Sequence, residues 1–76
     1  MALERAWDAE RASDLARRAY SYVARILPPA STLEAIGRAD RAVLEAEERQ
    51  DFPAYKVALR ELCKAARREA TRRSAA

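Results

Sequence analysis

An all-α fold, a small three-helix bundle or a helical hairpin with a third helix laid across it, is what this sequence predicts, and three observations carry that reading. No alternating run of β-branched residues occurs anywhere in the 76 residues, so no segment reads as a strand. The helix breakers are confined to Pro28, Pro29, Gly37 and Pro53, and proline punctuates a chain by removing a donor and by turning the preceding residue away from helix. Between the prolines, apolar residues recur at helical spacing.

The first helix is expected over about 2–27. Ala12, Leu15, Ala16, Ala19, Tyr22, Val23 and Ile26 form one stripe, with Tyr20 and Leu27 at its margin. Arg11, Asp14, Arg17, Arg18 and Arg25 lie opposite. Leu3 and Trp7 fall on the polar side of the same wheel. The favoured explanation is a later start, with Asp8 or Ser13 as cap and Trp7 folded back as a staple; the alternative leaves Trp7 exposed for a partner.

The second helix is expected over 31–50, opened by the capping box Ser31-Thr32-Leu33-Glu34. Ala35, Ala39, Ala42 and Ala46 make a small-residue strip that admits a close neighbour, with Ile36 and Val43 beside it. Gly37 marks either a close helix crossing or an interruption with a restart at Asp40. Asp40 and Glu47, seven residues apart, stack on one face. Pairing with arginines of a neighbouring helix is the favoured role for these carboxylates. An acid/base or divalent-metal site would need histidine or further facing carboxylates.

The third helix is expected over 52–71, with Asp51 as N-cap, Pro53 in its first turn and residues 72–76 frayed. Tyr55, Ala58, Leu59, Leu62, Cys63, Ala65, Ala66 and Ala70 line one side. Lys56, Arg60, Lys64, Arg67 and Arg68 line the other. Short connections make antiparallel neighbours the default, hence an up-down-up single domain over 1–76.

The stretch ADRAVLEAEERQDFPAYKVALREL, residues 39–62, places small residues on one helix, an acidic turn, and then aromatic-x-x-Ala-Leu on the next. It resembles the helix-turn-helix unit of tetratricopeptide-type hairpins. What the resemblance implies is a mode of hairpin packing; no binding residue comes with it, and the chain has no internal repeat.

Composition bounds the function. Hydrophobic residues make up 50% of the chain, yet 19 of the 76 residues are alanine, which gives helix propensity and little buried area. Three alanine-heavy helices are therefore expected to need a partner to complete their core. Cys63 stands alone and there is no histidine, so an intrachain disulfide and the usual zinc or haem ligand sets are ruled out. Neither a general base suited to neutral pH nor a glycine-rich phosphate loop is present, and Cys63 sits on an apolar face where thiols are inert packing. We expect no catalytic, cofactor-binding or metal-ligating residue and no small-molecule substrate. The lone cysteine and the lack of a signal-like apolar run fit a cytoplasmic protein, and no stretch approaches the roughly 18 apolar residues of a membrane span.

Charge is distributed unevenly. Residues 1–27 carry five arginines against four acids, residues 28–53 three against six, and residues 54–76 seven basic residues against two acids. The expected function is a non-enzymatic protein–protein interaction module that binds a second copy, most simply as a homo-dimer, or another protein. Its expected interface is Ala35, Ala39, Ala42, Ala46, Tyr22, Tyr55, Leu59 and Leu62. The competing expectation is non-specific contact with nucleic-acid phosphates through Lys56, Arg60, Lys64, Arg67, Arg68, Arg72 and Arg73. Insertion into a membrane surface is not expected, because the apolar face of the third helix has few large side chains.

Overall fold

A computed structural model describes residues 7–28 and 34–75, which form three α-helices: α1 (Ala9–Ile26), α2 (Glu34–Glu48) and α3 (Phe52–Ala75). The prediction of an all-α three-helix bundle holds. The boundaries moved at both ends of the chain, for local reasons.

α1 begins at Ala9, so a continuous helix from residue 2 is corrected: Trp7 and Asp8 are non-helical. Asp8 is extended, at φ −105° and ψ 96°, and its carboxylate accepts from the Arg11 N–H at 3.0 Å. That bond satisfies one of the first-turn donors which a helix cannot pair internally. At the other end Leu27 leaves helical geometry, at φ −127° and ψ 143°, as the residue before Pro28 should.

α2 is continuous through Gly37. Neither reading of that glycine holds, because it is exposed and a Cβ there would meet nothing within 4 Å. It lowers helix propensity by about 1 kcal/mol relative to alanine. The Ser31–Leu33 part of the expected capping box lies outside the described residues, while Glu34 opens the helix.

The α2–α3 turn is more compact than four or five residues of coil. Gln50 takes a left-handed φ of 54°, its N–H donates to the Glu47 carbonyl at 3.0 Å, and the Asp51 N–H donates to the Ala46 carbonyl at 3.0 Å. Those two bonds are a Schellman closure. Asp51 also caps α3 as expected, its side chain accepting from the Ala54 N–H at 3.1 Å. One aspartate thus ends one helix and begins the next, which fixes α2 antiparallel to α3.

α3 runs to Ala75, past the expected end at residue 71. Glu69 explains the extension: its carboxylate accepts from Arg72 Nη2 at 2.6 Å and Arg73 Nε at 2.8 Å, one turn ahead. These bonds hold the Glu69 carboxyl below the usual glutamate range. A depressed carboxyl stabilises the folded form above its unfolded pKa, and that contribution is lost as pH falls through the folded pKa. The turns after Glu69 should therefore fray as pH is lowered from neutral into the acid range where this carboxyl gains its proton. Amide exchange of residues 70–75 at the two pH extremes checks this, and unchanged protection in acid would remove Glu69 as the cause.

Both α1 and α2 pack along α3, whereas they touch each other only weakly. Trp7 meets Phe52 and Tyr55 at the start of α3, and Ala19 lies beside Cys63 further along, so α1 and α3 run parallel. This is the up-down-up order. The core is a cluster of Ala12, Ala19, Val43, Ala46, Phe52, Tyr55, Ala58, Leu59 and Leu62, with Leu27 and Ala66 also buried.

Candidate functional site

The structure divides the eight residues expected at a partner interface. Ala46, Tyr55, Leu59 and Leu62 are 1–5% exposed inside the chain's own core, so their apolar area is already used in folding. Ala39 and Tyr22 are half-buried, and Ala35 and Ala42 are exposed. The apolar surface left for a partner includes two side chains outside those eight, Val57 at 51% and Leu44 at 53% exposure.

Two shallow grooves flank α3. One, of about 480 Å³, lies between α2 and α3. Ala42, Ala46, Ala54 and Ala58 line it, Val57 and Pro53 stand beside them, and Glu45, Arg49, Asp51 and Glu61 supply its charges. The other, of about 320 Å³, lies between α1 and α3, where Leu15, Ala19, Leu59 and Cys63 meet Arg18, Lys56 and Arg60. The chain therefore offers a mostly acidic groove on one side and a cationic one on the other.

The expected phosphate contacts separate in the same way. Arg72 and Arg73 are engaged by Glu69, and Lys64 pairs with Glu61 at 3.6 Å. Lys56 lies over the Phe52 ring, 5.4 Å from its centroid. Among the described residues no ion pair within 4 Å is found for Arg60, Arg67 or Arg68, and Arg67 and Arg68 line a dip along α3 with Lys64 and Thr71. The expected phosphate contacts were confined to α3, whereas the structure also brings Arg11 and Arg18 of α1 beside that helix. Arg11 covers the same Phe52 ring at 5.2 Å.

Among the described residues Asp40 and Glu47 form none of the expected arginine pairs. The Asp40 carboxylate instead accepts a hydrogen bond from the Tyr20 hydroxyl, the one polar link between α1 and α2 among the described residues. Partial burial, followed by this bond and the charge of Asp40, pushes the Tyr20 pKa up. No group of three or more metal-ligating side chains occurs among the described residues. Burial likewise raises the Cys63 pKa, outweighing the opposite pull of Arg67, and its thiol faces the Ala19 carbonyl at 4.0 Å. A thiol held protonated is a poor nucleophile.

No described helix is long and apolar enough to cross a membrane. Compared with known protein families, curated proteins and solved structures, the chain matches none.

Proposed function

We propose that this chain is a non-enzymatic interaction module that associates with a second copy of itself through the α2/α3 face. The observation that carries the reading is that one patch holds both a ridge and the recess to receive it. Val57 projects from α3, half-exposed, beside a floor of Ala42, Ala46, Ala54 and Ala58. A two-fold axis brings the same patch of each copy against the other, so a ridge must find its complement within its own patch. Here each Val57 meets the alanines of the opposite copy. The charges are self-complementary too, since Arg49 of one copy can face Glu45, Asp51 or Glu61 of the other.

The non-enzymatic part of the reading rests on the chemistry of the chain, which has no histidine and whose only thiol is raised in pKa. The alanine floor offers modest area, which places the complex among weak, exchanging dimers.

Mass by light scattering, followed from micromolar to millimolar chain, is expected to rise from monomer to dimer. Val57→Lys puts a charge where the floor would desolvate it, and should weaken the association at least tenfold, about 1.4 kcal/mol. Because Val57 is exposed in the single chain, the helical circular dichroism of this variant should match the parent. A monomeric mass for the parent at every concentration would refute the proposal.

A further inference from the structure

We infer that the α1/α3 face, on the other flank of α3, is a second binding surface that takes the phosphodiester backbone of nucleic acid without reading its sequence. Three levels of this face carry cations on both helices. At the first, Arg11 and Lys56 share the ring of Phe52. At the second, Arg18 and Arg60 line one groove. The third follows from register: seven residues past each of these arginines stand Arg25 and Arg67, and the helices are parallel.

Two ordinary explanations of such charges do not cover this arrangement. A cation near a helix C-terminus complements the helix dipole, which accounts for Arg25 in the last turn of α1, but Arg11 lies in the first turn of α1 and Lys56 near the start of α3, at the positive ends. A solvated helix face accepts either sign of charge, yet here like charges oppose each other across a seam, which is repulsive. Asp14 offsets part of this through pairs with Arg17 at 3.1 Å and Arg18 at 3.3 Å. Of the acids of α2, Glu45 lines the other groove and Asp40 is engaged by the Tyr20 hydroxyl.

What relieves the repulsion is a ligand with regularly repeated negative charge. Arg11 to Arg25 spans fourteen residues of helix, or about 21 Å, the rise of about six phosphates along one strand. The floor of Leu15, Ala19, Leu59 and Cys63 is shallow and has no deep pocket for peptide side chains. Readout of bases is not part of the inference, because the chain has no asparagine and these cations come from two helix flanks rather than one recognition helix.

The test measures binding of a labelled duplex of about 20 base pairs, its single strand, and polyglutamate of matched charge across a salt series. Six phosphate contacts give a slope of log K against log salt near −5 for duplex and near −4 for single strand. The double variants Arg18→Gln/Arg25→Gln and Lys56→Gln/Arg60→Gln should each make the duplex slope shallower by about 2. If the first variant retains the parent slope while the second does not, a site shared by two helices is overturned. Equal affinity for polyglutamate overturns the assignment to nucleic acid, and no retention at about 20 mM salt, where such contacts are strongest, overturns the surface altogether. None of these outcomes bears on the α2/α3 dimer, whose test is mass.

Discussion

Leu62→Ala is expected to leave this chain largely unfolded at 25 °C. Leu62 is 1% exposed and belongs to the central cluster, on the side of α3 that faces both other helices. Shortening a buried leucine to alanine costs about 2–5 kcal/mol, from lost transfer free energy and the cavity left behind. A single core in a chain this small rarely supplies more than about 3–5 kcal/mol in all. The change is therefore comparable to the whole stability. Leu62→Met, which conserves volume, should cost less than about 1.5 kcal/mol and stay folded. Urea titration followed by circular dichroism separates the two variants. A Leu62→Ala protein with the parent's midpoint would mean that α1 and α2 do not rely on this part of α3.

That expectation bears on the idea that an alanine-rich chain cannot close its own core. Periodicity identified the faces correctly, since Tyr55, Leu59 and Leu62 do lie on the apolar side of α3, but it could not say which neighbour covers them. Ala12, Ala19, Ala46, Ala58 and Ala66 bury little area themselves; being small, they let helices approach closely enough to cover the larger side chains. A count of bulky residues misses that effect.

Local chemistry was more legible. Asp8 and Asp51 could be read as caps, and Pro28 as the end of α1. The extension of α3 was also written in the sequence, because Glu69 stands three and four residues before Arg72 and Arg73, the spacing at which helical side chains meet. The end of α2 was not, since its left-handed position holds Gln50 where glycine would have signalled the turn. The cationic face was half legible. Arg11, Arg18 and Arg25 repeat every seven residues, but only the parallel register of α1 and α3 brings them level with Lys56, Arg60 and Arg67.

Trp7→Ala is expected to lower the thermal midpoint by about 8–16 °C, from a loss of about 2 kcal/mol in a domain where each kcal/mol moves the midpoint by about 4–8 °C. The indole makes edge contacts with Phe52 at 5.9 Å and 81°, and with Tyr55 at 4.9 Å and 84°. Pairs of this geometry are worth about 0.5–1.5 kcal/mol each beyond the area they bury. Trp7 is only half-buried, so the full cost of about 3–5 kcal/mol for a buried aromatic does not apply. The effect concentrates at one end of the bundle, because Trp7 precedes the Asp8 cap and anchors the start of α1 to the start of α3. Trp7→Phe keeps an aromatic edge there and should recover most of the midpoint, whereas Asp8→Ala removes the cap and costs about 1 kcal/mol with Trp7 still in place. Melting followed by circular dichroism, with the parent's single tryptophan read in parallel by fluorescence, distinguishes an anchor from an exposed ring. An anchor shifts its emission in the same transition that melts the helices. A ring exposed for a partner would already emit as in the unfolded chain, and its removal would leave the midpoint where it was.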